Sequence, residues 1–258
     1  MEGALIAMTM TLTMLLWPPS LAVQSAFYTR VLVSEAKITG SQLLEPVLMT
    51  LGSSHTLRCS LICSLQSWCD LWCSDASTDQ CLLSNMIVLP NYEEDSTTDA
   101  LVCYTQRRKD YATGATIQTA TVYYTAPLRV GGNLVDGIYD RFTLNACFTS
   151  ANDVTNPWFV LDFGAPVSLR SVTLFSQPSG QTYMPTYLAN LEVRVGMSPV
   201  ATLGDFSSYA FFGIFIGPAS SFSQEIVIEA TSPMTARFLS LQKISGTGHI
   251  QICHLEVR

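Results

Sequence analysis

The chain has three histidines, His55, His249 and His254, so acid–base or nucleophilic chemistry built on imidazole has few places to occur. His254 directly follows Cys253, and His249 closes the turn Gly246-Thr247-Gly248-His249; neither motif supplies an evident nucleophile. Glu225, Glu229 and Asp162 would make a glycosidase-type carboxylate pair only if the fold brought two of them together, and nothing in their spacing selects them. Gly213-Ile214-Phe215-Ile216-Gly217 reads as a strand, because a phosphate loop needs a following helix start and a lysine. The run Asn91–Asp99 is dense in carboxylates but lacks the glycine and terminal glutamate of an EF-hand, so it reads as a solvated loop. The chemistry on offer is binding rather than catalysis.

Eight cysteines carry the other strong signal: six lie between Cys59 and Cys103, and Cys147 and Cys253 stand apart. Zinc competes for the cluster, since Cys59-x3-Cys63 and Cys69-x3-Cys73 can resemble thiolate sites. A tetrahedral zinc would leave two of the six without a role, whereas an even set in an exported chain pairs as disulfides. Both spacings suit cysteines on one face of helical turns, with Trp68 and Trp72 beside them as packing partners. A bridge between Cys147 and Cys253 would close a loop of roughly 100 residues, worth on the order of 4 to 5 kcal/mol if chain entropy alone counted.

Those residues need elements to position them. At 258 residues with 48% hydrophobic and 13% charged residues, the chain can build one large or two modest domains. Net charge is −7 and the one basic run is Arg107-Arg108-Lys109, so the phosphate-neutralising surface that nucleic acids require is missing. Ala4 to Trp17 is an uncharged, mostly apolar run of fourteen, stopped by Pro18-Pro19 and followed by small residues. It is too short for a bilayer span and matches a secretory signal over residues 1–25, despite Glu2 where a basic residue is usual. No other run approaches a membrane span, so the mature protein is expected to be secreted, soluble and extracellular. Ser41 to Thr56 reads as a strand-turn or a short helix. Residues 106–120 are polar and charged, a linker, and Thr121–Thr125 has strand character that opens a second domain.

From Trp158 onward, short β-rich runs alternate with Gly, Pro, Ser and Asn: Trp158–Phe163, Val167–Phe175, Leu188–Val195, Tyr209–Ile216, Gln224–Glu229, Arg237–Lys243 and Ile250–Val257. Several alternate apolar with polar, as in Leu191-Glu192-Val193-Arg194-Val195, and no run of useful length has helical period. An all-β sandwich or jelly roll follows.

The order Cys59-x3-Cys63, Trp68-Cys69, Trp72-Cys73, Cys81-Leu82-Leu83 and then Cys103 resembles a PAN (apple-like) module, a small disulfide-rich α+β domain spanning about residues 40–105. The resemblance implies nested pairing: Cys59 with Cys103, Cys63 with Cys81, and Cys69 with Cys73.

A second resemblance covers residues 121–258. Asn133-Leu134-Val135-Asp136-Gly137, Cys147-Phe148-Thr149, Pro157-Trp158-Phe159-Val160-Leu161-Asp162-Phe163-Gly164, Val193-Arg194-Val195-Gly196, Arg237-Phe238-Leu239-Ser240-Leu241 and Ile252-Cys253-His254-Leu255-Glu256-Val257 follow the block order of F-type lectins (fucolectins). This is the discoidin-type, galactose-binding-like fold, an eight-stranded jelly-roll β-sandwich, and the resemblance implies the Cys147–Cys253 bridge as well. Members that bind fucose use a histidine after the first cysteine, an Arg-x-Asp segment, a vicinal cysteine pair and a second arginine. Thr149, Gln177, Ser179 and Tyr187 stand at the corresponding places, and the chain has no vicinal cysteines. In their stead Ser176–Tyr187 is an uncharged loop, where Tyr183 or Tyr187 can stack a sugar ring and Gln177 or Gln181 can hydrogen-bond it. The resemblance also implies a structural calcium on Asp136, with oxygens from Asn133, Asp140, Asn145 or Glu256; Ile138 and His254 depart from the family's polar and acidic residues there. The function these likenesses imply is non-catalytic recognition of glycans or glycoproteins. The competing expectation is an extracellular protein-binding adaptor that holds no sugar.

Overall fold

The computed structural model describes residues 28–38, 41–44, 55–75, 80–94, 100–123, 128–181, 184–245 and 248–258. The apolar leader over residues 1–25 and Tyr183 lie outside them. The fold is mainly β, with antiparallel sheets throughout.

The first unit is a five-stranded sheet with one helix. Its strands are β1 (Thr29–Ser34), β2 (Ser41–Leu44), β3 (Leu71–Asp75), β4 (Gln80–Ser84) and β6 (Ala100–Thr105), in the order β1-β6-β3-β4-β2. The β-branched alternation of β1 buries Val31 and Val33 against Leu71 and Cys103. Because β1 pairs with β6 along its whole length, the unit begins before the expected boundary at residue 40. Helix α1 (His55–Ser64) carries Cys59 and Cys63 one turn apart and packs on β3.

The nested cysteine pairing is not formed. Cys59 bridges to Cys81, Cys63 to Cys69, and Cys73 to Cys103. The reason is register: Cys73 and Cys103 stand directly opposite each other on β3 and β6, so neither is free for a partner elsewhere. Cys69 and Cys73 do not share a helical face, since Cys73 is on a strand. Trp68 and Trp72 do pack with the remaining cysteines, and Trp72 also stacks on Tyr104 at 4.2 Å.

The second unit is a β-sandwich of jelly-roll type. Its strands are β7 (Thr116–Thr119), β8 (Ile138–Tyr139), β9 (Phe148–Thr149), β10 (Trp158–Phe175), β11 (Leu191–Gly196), β12 (Ala210–Phe215), β13 (Glu225–Lys243), β14 (Gln251–Ile252) and β15 (His254–Val257). The main sheet runs β12-β11-β13-β10-β15, and β9 with β14 forms a short pair beyond it. β10 and β13 are long strands that turn a corner together, with register shifts at 163–166 and at 230–233. Before the corner β10 pairs with β7; after it, with β15. The core holds Phe148, Phe159, Leu161, Leu174, Val193, Leu239, Ile250 and Leu255, the inward residues of the alternating runs.

Residues 106–120 are not a free linker. Asp110 is buried, taking the backbone N–H groups of Ala112, Thr113 and Val257, while Ala112 sits in the sandwich core and β7 joins the main sheet. The two units are fused further by β5 (Ile87–Val88) pairing with β8. Ile87, Leu89, Tyr139, Phe175 and the Cys147–Cys253 bridge form one buried cluster at this seam. Arg107 and Arg141 both hold Asp70 there and flank the Phe175 ring at 5.7 and 5.8 Å.

Gly137 makes the turn into β8 with φ of 77°, and a Cβ there would lie 2.6 Å from Thr113 Cγ2. Gly137→Ala is therefore expected to cost about 1–2 kcal/mol from the left-handed backbone, before any clash is relieved. Urea unfolding of the variant checks this, and an unchanged midpoint would show that the turn relaxes freely.

Candidate functional site

At the end of the sandwich where β10 starts and β13 finishes, three rings line up. The Tyr187 and His249 ring centroids are 4.2 Å apart, and His249 and Tyr123 are 6.3 Å apart. Each is fixed by its backbone. Tyr187 ends the 3-10 turn Met184–Tyr187, where Leu188 N–H donates to Pro185 O and Ala219 N–H to Leu188 O. His249 precedes the core residue Ile250, whose N–H donates to Ser150 Oγ while Ser150 N–H donates back to Ile250 O. Tyr123 N–H donates to Thr149 O, and Tyr123 is 44% exposed, so the row of rings reaches the surface.

Polar groups surround the rings. Asn152 Oδ1 lies 2.6 Å from His249 Nδ1; an amide oxygen accepts, so Nδ1 carries the proton and Nε2 is left as an acceptor. Burial, with the nearby charges of Lys243 and Arg129, pushes the His249 imidazole below its ordinary range and keeps it neutral. Lys243, buried at the end of β13, donates from Nζ to Tyr187 O at 3.1 Å, and burial lowers its ammonium too. The result is a half-buried aromatic row with a neutral acceptor and a cationic donor behind it. Such a row can stack the apolar face of a ring while hydrogen-bonding its edge.

The sequence-predicted binding residues divide. Tyr187 is in this row, and Gln181 is exposed on the same loop. Gln177 is buried, its amide donating to Ser179 O at 3.0 Å, so it braces the loop instead of facing a ligand. Thr149 is buried on β9 opposite Gln251, with no outlet to solvent. Tyr123, Asn152, Lys243 and His249 were missed. His249 had one usable signal, its place after a glycine-rich turn beside a buried apolar residue; the others had none.

The residues of the implied calcium set come together in part. Asn133 lies against the 145–147 segment, its amide donating to Asn145 O at 3.1 Å and Cys147 O at 3.4 Å. Asp136 accepts from Ile138 N–H, and Asp140 takes the N–H groups of Phe142 and Thr143. Glu256 is buried among Arg107, Arg258 and His254 on another strand. Among the described residues no three acidic, histidine or cysteine side chains come together as metal ligands.

The carboxylates considered for hydrolysis are also apart. Asp162 stands opposite Phe238 before the corner of β10, whereas Glu229 and Glu225 stand opposite Ser171 and Phe175 beyond it.

No protein-family model matches the chain, and no curated protein matches it. Solved structures resemble it in part. A fucolectin from striped bass (Morone saxatilis) serum aligns with a TM-score of 0.48 at 18% identity, over 57% of this chain and 47% of that one. The chain thus spans about half the length of that fucolectin. The lectin domain of lectinolysin, solved with Lewis b antigen, aligns with a TM-score of 0.46 at 16% identity, over 58% of this chain and 96% of that one. The family 32 carbohydrate-binding module of Clostridium perfringens NanJ, solved with galactose, aligns with a TM-score of 0.42 at 14% identity, over 55% and 92%.

Proposed function

We propose that the chain is a secreted, non-catalytic recognition protein whose sandwich binds a glycan at the Tyr123–His249–Tyr187 end. The observation that carries this is the row of rings itself, open to solvent at Tyr123 and backed by a neutral His249 and by Lys243. The pairing of all eight cysteines supports an oxidising, extracellular location. The F-type-lectin-like blocks in the sequence support a sugar as the ligand, and the rebuilt residues around Tyr187 support a specificity other than the usual fucose site.

A broad glycan array, run with calcium and then with chelator, tests the reading. The expected result is binding to a defined sugar that weakens about tenfold or more in Tyr187→Ala, the loss of one stacking face. A blank array from folded, fully bridged protein would sink it and turn attention to extracellular protein partners.

A further inference from the structure

We infer that the outer face of the main sheet holds a second ligand site, built to take one neutral pyranose ring between Phe238, Leu203 and the Asp162–Arg237 pair. A cavity of about 400 Å³ opens there, between the sheet and the connection from β11 to β12. Val160 and Phe238 face it from the side of the sheet opposite the main core, and Val200 and Leu203 form its other wall. The connection is pinned in place, so the space exists before any ligand arrives. Gln242 Nε2 donates to Gly204 O at 3.0 Å, and Arg194 Nη1 donates to Tyr209 O at 3.0 Å.

The polar side of the cavity has a definite hydrogen-bonding signature. Asp162 Oδ1 accepts from Arg237 Nε at 2.7 Å and from Gly164 N–H at 2.8 Å, and Oδ2 accepts from Arg237 Nη2 at 2.8 Å. A carboxylate has about four acceptor directions and a guanidinium five donors, so Oδ2 keeps one acceptor direction and Arg237 keeps three hydrogens, one on Nη2 and both on Nη1. The guanidinium carbon sits 5.1 Å from the Phe238 ring centroid, which holds the fork in position. A donor and an acceptor side by side match two neighbouring hydroxyls, each of which both donates and accepts. The pair carries no net charge: an anionic ligand would meet Asp162 and a cationic one Arg237, which leaves a neutral polyol. Leu203, 53% exposed, then supplies most of the apolar surface that the C–H face of a pyranose needs, with Phe238 and Val160 forming the floor beneath it.

The site is independent of the Tyr187 end. Phe238 and Lys243 lie on the same strand β13, five residues or about 16 Å apart, so no single ring reaches both.

The test is amide-resolved NMR titration of the full chain with methyl β-D-galactopyranoside, methyl α-L-fucopyranoside and methyl β-D-glucopyranoside. At least one probe should shift the amides of Val200, Leu203 and Phe238 saturably. Leu203→Trp, which fills the cavity from an exposed loop position, and Arg237→Gln should each weaken that response about tenfold or more, while Tyr187→Ala leaves it unchanged. Shifts confined to His249 and its neighbours would leave the first site standing and overturn this one. Cavity shifts that do not saturate, or that persist undiminished in Leu203→Trp, would also overturn it.

Discussion

Glu256→Ala is expected to lower the unfolding free energy by about 3–5 kcal/mol, the usual penalty for removing one partner of a buried ion pair. The Glu256 side chain is fully buried on β15, 3.7 Å from Arg107, 3.5 Å from His254 Nε2 and in contact with Arg258. Removing it leaves two guanidinium groups facing a site built around a negative charge. Asp70 continues to pair Arg107 at 3.0 Å, which places the expected loss toward the lower end of that range. Burial alone would raise the Glu256 carboxyl, but the close approach of His254 and the positive charges of Arg107 and Arg258 outweigh it, so the group is held below its ordinary value. A carboxyl depressed in the folded state contributes stability above its unfolded value, and that contribution is lost as pH falls through the folded one. Wild type should therefore lose stability on acidification below the ordinary glutamate range, and Glu256→Gln should lose less over the same interval. Urea midpoints at neutral and acidic pH measure both effects; equal slopes for the two proteins would remove Glu256 as the source.

The double substitution Cys147→Ala with Cys253→Ala is expected to cost about 2–5 kcal/mol. The two cysteines are 106 residues apart in sequence, so the bridge removes much of the freedom of the unfolded chain. It also fills space beside Tyr139, Phe175, Ile87 and Leu89, where the two units meet. Thermal unfolding without reductant gives the size of the loss. A loss under about 1 kcal/mol would mean that the β5–β8 pairing and the Arg107 and Arg141 contacts already hold the seam closed without help from chain entropy.

Much of the sandwich was legible because its signals are local. Leu191, Val193 and Val195 are buried on β11 as their alternation requires, with Glu192 and Arg194 on the other face. Two breaks read from sequence were not breaks. Gly164-Ala165-Pro166 and Ser232-Pro233 lie within β10 and β13, where the chain turns the corner by slipping register instead of ending the strand. A proline without an N–H is tolerated at such a bulge, and short-range propensity does not reveal that the neighbouring strand bends with it. The three N-terminal bridges were illegible for a similar reason. Pairing followed from Cys73 facing Cys103 across two strands that lie far apart in the chain.

The candidate site depended even more on long-range placement. From sequence, Gln177 and Tyr187 belonged to the same polar loop with equal claims on a ligand; the fold buried the first and set the second against His249, which the chain reaches only after three more strands. By itself the sequence determined much of the strand pattern of the sandwich and the number of cysteines to be paired, because these depend on residue type and on neighbours a few positions away. The tertiary structure decided which cysteines meet, that residues 106–120 are anchored to the sandwich through Ala112 and β7 rather than linking freely, and which side chains share a surface. Those outcomes depend on register and closure between distant strands, and no local pattern encodes which face of a loop will point outward once the sheets have packed.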